Sequence, residues 1–408
     1  MKEKIFSFIN DSESIAVELE TELTKIPAIS PDSGGKGELS KCIFLENWLK
    51  THGITELLRI DIPDERAQGG VRPNLIATLK GTDINLPSLW IMSHLDVVPV
   101  GEISLWKTEP WTVVKKDGKL FGRGTEDNQQ GLTSSVIAAL SLAGQNIAHK
   151  RTIKLLFVAD EECGSYYGID WILKNRREIF KDGDLVLIPD SGDEKGETIE
   201  IAEKNMLWVK FHITGKQSHA SRPDLGNNAS IAGARLAVLL NDELKLIFTK
   251  KDPLFYPDHS TIEVTKKEVN VDNINTIPGD DIFYMDMRIL PMYKIKDILN
   301  EVDKIINEFA KKWTLEVKYS VIQQHESKST PVSSPIVGLL SNAIKEVYNL
   351  TPKPIGIGGG TVGAYLRNAG IDCVAWSSFD EMAHQPNEYA KIENILGDAK
   401  VMALLMLS

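Results

Sequence analysis

Short apolar runs that lead into acidic or imidazole side chains constrain the fold of this chain more than any other feature. The runs are Ser88–Met92 before His94, Leu155–Ala159 before Asp160-Glu161-Glu162, and Leu185–Pro189 before Asp190. Runs of this length and apolar content are typical of strands buried on both faces, as in parallel sheets. A helix predicted at 132–143 falls between two of them. Strands that alternate with helices predict a doubly wound, mostly parallel α/β sheet.

The polar groups that follow these runs fall where such a sheet binds its ligands. In doubly wound sheets, ligands bind beyond the carboxyl ends of the strands. His94, the Glu161–Glu162 pair and Asp190 are predicted at those ends, and Asp127 directly precedes the predicted helix. The pattern therefore predicts one polar site at this edge of the sheet.

The sequence changes in character beyond Asp190, which indicates a second unit. Strands predicted at 207–214, 261–265, 281–289 and 314–323, with helices at 229–246 and 294–312, form an α+β unit from 206 to 324. Its length of roughly 120 residues is ordinary for a domain. The α/β pattern then resumes, with a helix at 335–348 and a strand at 373–376. We therefore expect an α/β domain formed by residues 1–205 and 325–408, with the α+β unit inserted between them.

Composition and charge exclude some classes of partner. The formal net charge of −11 argues against non-specific binding to nucleic acid or to an anionic membrane. The longest uncharged run, Asn128–His149, contains two glycines and several polar residues, which favours a buried helix over a membrane span. Three cysteines without paired spacing predict reduced thiols in a cytoplasmic protein, and we expect no secretory signal at the N-terminus.

Five side chains have the chemistry of metal ligands. Imidazole and carboxylate groups together suit zinc or a similar divalent ion. The three adjacent carboxylates at 160–162 repel one another at the end of a buried strand, and a bound cation removes that cost. Glu161 is left over beside a ligand, where a hydrolase needs a general base. The candidate ligands are His94, Asp127, Glu162, Asp190 and His384.

Each segment also has an interpretation without a metal. The Gly122–Asp127 turn is glycine-rich, but it lacks the Gly-Lys-Ser/Thr ending of a phosphate loop and does not read Gly-x-Gly-x-x-Gly. A capping aspartate in that turn, a turn Asp190, a surface His384 and a His94 bonded to backbone are the alternatives. Asp96 is a candidate to orient the His94 ring. Motif by motif, these alternatives stay open.

Taken as a set, the segments resemble the di-zinc aminoacylase and carboxypeptidase family, which includes acetylornithine deacetylase, succinyl-diaminopimelate desuccinylase and related dipeptidases. The resemblance runs from about Pro27 to the C-terminus. It rests on the order Ser-His-x-Asp-x-Val-Pro, Gly-Arg-Gly-x-x-Asp, Asp-Glu-Glu, Pro-Asp-Ser and a late Ala-His. The set is specific, whereas each piece alone is weak.

The resemblance implies two divalent metal ions, zinc or else cobalt or manganese. It also implies a cis peptide bond at Asp127–Asn128. The implied roles are a carboxylate shared by both ions, two further ligands on each ion and a general base. Asp127 would be the shared carboxylate. His94 with Asp190 would bind one ion, Glu162 with His384 would bind the other, and Glu161 would be the general base.

In the inserted unit, the resemblance implies a lid or dimerisation domain and a homodimer. Gly215–Ser221 matches a segment whose histidine, here His219, stabilises a tetrahedral oxyanion. Asn275 and Arg288 match positions that bind the carboxylate end of a substrate. A substrate-binding loop of the family is matched by Gly358, Gly359, Gly360 and Thr361.

Two departures from the family pattern concern the substrate side. Many relatives have x-Lys-Gly after the shared aspartate, whereas this chain has Asn128-Gln129-Gln130-Gly131. Relatives often have Asp or Ser after Gly-Gly-Thr, whereas this chain has Val362. Neither position is a candidate ligand, so the expected metal chemistry is unaffected.

The resemblance implies hydrolysis of an amide bond in a small N-acyl amino acid with a free carboxylate, of the deacylase or desuccinylase type. A water activated by two ions would attack the carbonyl, and Glu161 would take its proton. A dipeptidase or carboxypeptidase of the same family is the first alternative, and a non-catalytic binding protein on this fold is the alternative from another class. A mononuclear aminopeptidase is disfavoured because the chain has no His-Glu-x-x-His.

Overall fold

A computed structural model describes all 408 residues, Met1–Ser408, as two compact units. Unit 1 comprises Met1–Ile201, Thr330–Pro354 and Tyr365–Ser408. Unit 2 comprises Ala202–Ser329 and Ile355–Ala364. The short segment Ile355–Ala364 returns to unit 2, which the sequence pattern did not indicate. The assignment of the two units as a catalytic and a lid domain stays a prediction.

Ten helices are numbered in chain order. They are α1 (Lys2–Asn10), α2 (Glu13–Thr24), α3 (Leu39–Thr51), α4 (Gly131–Ala143), α5 (Ile169–Asn175), α6 (Ala229–Ile247), α7 (Ile295–Trp313), α8 (Pro335–Tyr348), α9 (Gly363–Asn368) and α10 (Ile392–Leu407). None of them combines the length and the apolar character that a bilayer-spanning helix requires.

Seventeen strands are numbered in the same way. Those before unit 2 are β1 (Leu57–Pro63), β2 (Val71–Leu79), β3 (Leu89–His94), β4 (Val114–Lys116), β5 (Lys119–Phe121), β6 (Ile153–Val158), β7 (Leu185–Asp193) and β8 (Thr198–Glu203). Those that follow are β9 (Asn205–Thr214), β10 (Ser218–His219), β11 (Thr261–Lys267), β12 (Thr276–Ile277), β13 (Asp280–Ile289), β14 (Glu316–His325), β15 (Lys353–Ile357), β16 (Cys373–Ser378) and β17 (Tyr389–Lys391).

The large sheet has eight strands in the order β1-β2-β6-β3-β7-β16-β8-β15. The central strands β6, β3, β7 and β16 run parallel to one another, whereas β1, β2 and β8 pair antiparallel with their neighbours. Nearly every residue of β3, β6 and β16 is buried, which accounts for the continuous apolar runs in the sequence. Helix α4 packs against β3, β6 and β7 and against α10. The predicted α/β class with a mostly parallel sheet is confirmed.

Strand β7 differs from the prediction at the functionally important end. We expected the strand to end before Asp190, but it continues to Asp193. Ile188 pairs with Ala375, and the next pair is Gly192 with Ser377, so three residues of β7 lie opposite one residue of β16. Such a bulge turns a side chain away from the regular alternation of a strand. Asp190 therefore lies in a bulge, and not beyond a strand end.

Unit 2 is built on a four-stranded antiparallel sheet in the order β11-β13-β9-β14. Buried and half-buried residues alternate along β9, as expected for a sheet with one face on a core. Helices α6 and α7 pack against this sheet, and their apolar side chains complete a separate hydrophobic core. The predicted strands and helices of this unit are present, with ends that differ by at most two residues.

Several elements escaped the sequence analysis. They are α1, α5, α9, β8, β15, the two-stranded sheet β10-β12 and the small sheet β17-β5-β4. Of these, the small sheet bears on the site, because β5 and β17 flank the segments that carry Asp127 and His384. Strands of three residues carry too few positions for a period-2 pattern to be recognised.

Candidate metal centre

All five candidate ligands lie in unit 1, and their side chains converge. His94 Nε2 lies 2.9 Å from Asp127 Oδ1 and 3.5 Å from Asp190 Oδ1. His384 Nε2 lies 3.1 Å from Asp127 Oδ2 and 3.0 Å from Glu162 Oε2. Asp127 therefore offers one oxygen to each histidine and lies between two groups of candidate ligands.

The cluster contains two overlapping sets of three groups that could hold an ion. The candidate atoms of His94, Asp127 and Glu162 lie within 4.8 Å of one another, as do those of His94, Glu161 and Asp190. Atoms at such separations can reach a common ion at bond lengths of roughly 2.0–2.3 Å. The geometry therefore places Glu161 within reach of the same ion as Asp190, and it is compatible with a base or with a ligand.

The turn that carries Asp127 depends on two glycines. Gly124 has a φ of +86°, and a Cβ there would lie 2.6 Å from Val97 Cγ1 and 2.8 Å from Gln129 Nε2. Gly131 begins α4, and a Cβ there would lie 2.3 Å from the backbone oxygen of Pro189. The absence of a side chain at Gly131 lets the start of α4 approach β7, which carries Asp190, and the absence of one at Gly124 leaves room for Val97 and Gln129. The peptide bond Asp127–Asn128 is cis, as the family resemblance implied.

Asn128 links three parts of the cluster, and the sequence analysis gave it no role. Its Oδ1 accepts a hydrogen bond from His94 N at 3.2 Å. Its Nδ2 donates to the backbone oxygen of Pro189 at 2.6 Å and to Asp190 Oδ1 at 2.7 Å. The side chain is buried, so these bonds fix Asp190 relative to His94. The only sequence signal was its position next to Asp127.

Asp96 has contacts that differ from the expected ones. The closest acceptor to His94 Nδ1 is the backbone oxygen of Asp96 at 3.0 Å, whereas the carboxylate lies 3.6 Å away. That carboxylate instead accepts the backbone N–H of Glu161 at 3.1 Å and of Glu162 at 3.0 Å. Asp96 thus orients the His94 ring through its main chain, and it holds the Glu161–Glu162 pair through its side chain.

Two further buried carboxylates, Glu126 and Glu388, contact the segments that carry Asp127 and His384. Glu388 Oε1 accepts the backbone N–H of Asp127 at 3.0 Å, and Glu126 Oε1 accepts that of Asp380 at 2.7 Å. Both side chains are buried. Sequence reasoning missed them because the residues to which each bonds lie more than 250 positions away along the chain.

The groups of the cluster change one another's pKa values. Burial alone would lower the pKa of His94, but the carboxylates of Asp190 and Asp127 outweigh it and raise that pKa well above its ordinary value. Hydrogen bonds to Asp127 and Glu162 raise the pKa of His384 to about 10. Burial and the charge of Asp190 raise the pKa of Glu161 well above its ordinary value. These three groups bind protons more tightly than in water, and a divalent cation meets the same demand for positive charge.

The residues present fit a divalent metal ion. Glu162 Oε1 is buried and has no hydrogen-bond partner. An unsatisfied buried acceptor costs about 1–3 kcal/mol, and an ion held between Glu162 and its neighbours would supply the missing partner. Two imidazoles and three carboxylates form a donor set that zinc and similar ions accept.

In unit 2, the structure brings His219 next to Asn275. His219 in β10 pairs with Thr276 in β12, and Ala220 N donates to the backbone oxygen of Asn275 at 2.8 Å. The exposed ring of His219 accepts the N–H of Ser221 on Nδ1 at 3.1 Å. A neutral imidazole that accepts on Nδ1 carries its proton on Nε2. His219 is therefore a hydrogen-bond donor through Nε2.

The structure also brings Arg288 next to the Gly358–Thr361 turn. The guanidinium donates to both carboxylate oxygens of Asp286, at 2.7 and 3.1 Å, and to the backbone oxygen of Gly358 at 3.2 Å. These contacts use three of its five N–H donors. Thr361 N donates to Glu203 Oε2, and Gly359 and Gly360 lie between these anchored points.

Comparisons with known proteins give consistent results. A family model described as Peptidase family M20/M25/M40 matches residues 90–408. An uncharacterised metallohydrolase of Methanocaldococcus jannaschii is 40% identical over 403 residues, which cover 95% of this chain and 97% of the relative. Succinyl-diaminopimelate desuccinylase of Buchnera aphidicola subsp. Cinara cedri is 29% identical over 311 residues, which cover 75% and 79%. The structure of a dipeptidase from Saccharomyces cerevisiae matches with a TM-score of 0.73 at 17% identity, over 100% of this chain and 98% of that one.

Proposed function

The chain belongs to peptidase family M20/M25/M40, a family of metal-dependent hydrolases, and from that premise we propose that it hydrolyses an amide bond in a small N-acyl amino acid with a free carboxylate. The observation that carries the proposal is the position of Asp127 between His94 and His384, with Glu161 beside them. Similarity to a desuccinylase supports the acyl-amino-acid class of substrate.

Two divalent ions form part of the proposal, with zinc as the first candidate and cobalt or manganese as alternatives. Asp127 would help to hold both ions, since each of its oxygens faces a different histidine. His94 and Asp190 complete one site, and Glu162 and His384 complete the other. The buried and unpartnered Oε1 of Glu162 supports this assignment.

The mechanism assigns proton transfer to Glu161. When bound, the ions polarise an amide carbonyl and lower the pKa of a water molecule. Glu161 takes a proton from the attacking water and passes it to the leaving nitrogen. The Asp96 carboxylate accepts the backbone N–H groups of Glu161 and Glu162, so it fixes the backbone of the proposed base relative to that of the adjacent proposed ligand.

Side chains of unit 2 complete the proposed reaction. His219 stabilises the oxyanion, and its Nε2 donor supports that role because the acceptor position on the ring is already in use. One such donor is commonly worth about 3–4 kcal/mol. Arg288 binds the substrate carboxylate through its two remaining N–H donors, which are charge-assisted. The proposed substrate-binding set is completed by Asn275, Gly359, Gly360 and Thr361.

A substrate panel tests the proposal. The protein is reconstituted with zinc, cobalt or manganese and assayed against N-succinyl, N-acetyl and N-formyl amino acids and against dipeptides, with a chelator-treated sample as control. We expect chelator-sensitive turnover of one acyl class. The absence of chelator-sensitive turnover across the whole panel would support a non-catalytic binding protein instead.

Hydrolysis of dipeptides or of C-terminal residues is the second candidate. The similarity in fold to a dipeptidase at 17% identity concerns the architecture, and the cluster of ligands suits either substrate class. The substrates of the two candidates differ on the acyl side of the amide bond. In a dipeptide that side is an amino acid with a free amine, and in an N-acyl amino acid it is the acyl group. Preference for dipeptides over matched N-acyl amino acids would select this candidate.

We further propose a homodimer in the cytoplasm. Helix α6 exposes Ile231, Val238 and Leu246, and exposed apolar side chains on one element are common at contacts between subunits. The three free cysteines support a reducing compartment. Light scattering at micromolar concentration tests the dimer, and Val238→Asp on that helix should favour the monomer.

A further inference from the structure

Two buried carboxylates join the turn that carries Asp127 to the loop that carries His384. The turn is Gly122–Asn128 and the loop is Phe379–Glu388. Glu388 belongs to the loop, and it accepts four hydrogen bonds from the turn. The donors are Arg123 Nη1 at 2.6 Å, Gly124 N at 2.9 Å, Glu126 N at 3.0 Å and Asp127 N at 3.0 Å. Four donors use the lone pairs of both oxygens.

Glu126 makes the connection in the opposite direction. It belongs to the turn, and its carboxylate accepts the backbone N–H groups of Asp380 and Met382 in the loop. The backbone of the turn adds a bond from Gly122 N to the backbone oxygen of Glu388 at 3.0 Å. The turn and the loop are therefore held together by one carboxylate from each segment, which bonds to the other segment. We call Glu126 and Glu388, with these bonds, the carboxylate clamp.

The loop with His384 needs this support because no helix or strand carries it. The loop connects β16, which ends at Ser378, with β17, which begins at Tyr389. Its residues Glu381, His384 and Asn387 have φ values of +60°, +63° and +63°. Non-glycine residues adopt such angles only rarely. By contrast, His94 and Asp190 lie on β3 and β7, so the sheet itself positions them.

We propose that Glu126 and Glu388 are positioning residues that set the separation of Asp127 and His384 and thereby the metal affinity of the site formed by Asp127, Glu162 and His384. The inference rests on the proposed function, because it requires two ions. The site with His94 and Asp190 shares Asp127 but takes no ligand from the loop, so loss of the clamp should weaken this ion less than the ion at Asp127, Glu162 and His384. Partners that orient metal ligands typically change metal affinity by about 10–100-fold.

The variants Glu388→Gln and Glu126→Gln test the clamp in the full-length protein. Glutamine keeps the volume of the side chain, but its NH₂ group faces N–H donors and cannot accept from them. Metal-free protein is titrated with zinc against a chromophoric chelator. We expect each variant to bind the ion at Asp127, Glu162 and His384 at least about tenfold more weakly and the other ion with a smaller loss of affinity. Cobalt gives a second readout, since we expect the visible absorption of one of its two equivalents to change more than that of the other.

The matched control is Asp184→Asn. Asp184 is another buried carboxylate, and it accepts Ser88 N at 2.7 Å, Trp90 Nε1 at 2.7 Å and Lys181 N at 2.9 Å. It lies at the amino ends of β3 and β7, away from the ligands. We expect Asp184→Asn to lower the melting temperature and to leave both metal affinities unchanged.

Three outcomes would overturn the inference. Wild-type binding of both ions by the two clamp variants would make the clamp purely structural, and equal weakening of both ions would contradict its selectivity. If Glu388→Gln does not fold, Glu126→Gln decides, because it removes the acceptor of one donor out of two instead of two out of four. A wild-type protein that binds a single ion would contradict the two-ion function itself, so the two failures are distinguishable.

Discussion

Glu161 and Glu162 are neighbours in the chain and bond to the same carboxylate, that of Asp96, yet their proposed roles differ. Glu162 contacts His384 at 3.0 Å, whereas Glu161 belongs to the group of His94 and Asp190. The Asp96 carboxylate accepts a hydrogen bond from the backbone N–H of each residue, so the backbone from which the two side chains extend is fixed. Adjacent residues of the same type therefore give a matched pair of substitutions.

Replacement of Glu161 by glutamine is expected to abolish proton transfer without loss of metal. We expect kcat to fall by about 10²–10⁴-fold, because an amide cannot act as the base. Metal content is measured in parallel by elemental analysis, with Glu162→Gln as the comparison, which should lose metal affinity. Loss of an ion from Glu161→Gln would identify Glu161 as a ligand, and near wild-type turnover would refute its role as the base.

Replacement of His384 by alanine is expected to remove one ion of two. The His384 side chain is 56% exposed, so its loss should cost little stability, and the effect should be confined to the site that it shares with Glu162. His212→Ala provides the control, because His212 is 41% exposed and pairs with Asp280 in unit 2. Metal stoichiometry by elemental analysis decides, and two ions retained at full affinity would exclude His384 as a ligand.

At the scale of elements, the start of α4 and the bulge of β7 meet so closely that only a glycine fits. Gly131→Ala adds a methyl group where the nearest atom, 2.3 Å away, is the backbone oxygen of Pro189, which cannot rotate aside. We expect a loss of about 1–3 kcal/mol in the free energy of unfolding, as for overpacked cores. Weaker metal binding should accompany it, since Asp190 follows Pro189.

Gly338→Ala in α8 gives the opposite sign and serves as the control. A Cβ at this exposed helical position has no atom within 4 Å. Alanine is preferred over glycine in a helix by about 1 kcal/mol, so this variant should be more stable than wild type. Urea unfolding of both variants tests the pair, and a stabilised Gly131→Ala would contradict the close approach of α4 to β7.

The contact between α10, α8 and β16 is expected to make stability depend on pH. Asp398 in α10 accepts Tyr348 Oη and Ser378 Oγ, each at 2.8 Å, and burial raises its pKa from 3.8 to about 7. The folded state therefore keeps a proton that the unfolded chain releases. The contribution of this group is full below about pH 4 and is lost as the pH rises through 7.

The variant Asp398→Asn isolates this effect. The stability of wild type relative to the variant should fall by up to about 1.4 kcal/mol per pH unit within that window. Urea unfolding of both proteins between pH 5 and 8 gives the difference directly. A difference that stays constant over this range would show that Asp398 does not change its protonation on folding.

At the scale of the whole molecule, the candidate ligands all belong to unit 1, while unit 2 has a hydrophobic core of its own. Removal of metal should therefore destabilise unit 1 selectively. An ion present at 100 times its dissociation constant stabilises the state that binds it by about 2.7 kcal/mol. Hydrogen exchange before and after chelation measures each unit, and an equal loss of protection in both would contradict the prediction.

The sequence predicted what depends on local periodicity and missed what depends on pairing. The helix Pro335–Tyr348 and the strands of unit 2 follow from patterns within each segment, and so they agree with the structure. The bulge at Asp190 depends on β16, and the contacts of Glu126 depend on Asp380 and Met382, all of which lie far along the chain. His94, Glu162 and Asp190 follow apolar runs, whereas Asp127 and His384 do not, and the division of the five candidate ligands between two ions rested on family resemblance alone.

The order of strands in the large sheet has a consequence for biosynthesis. Strands β7 and β8 are consecutive in the chain, yet β16, close to the C-terminus, lies between them. A chain still on the ribosome lacks this strand and the segment with His384 until nearly all of it has emerged. Truncated or stalled products therefore cannot assemble the complete cluster, and such fragments would be inert even when the first 200 residues have begun to fold.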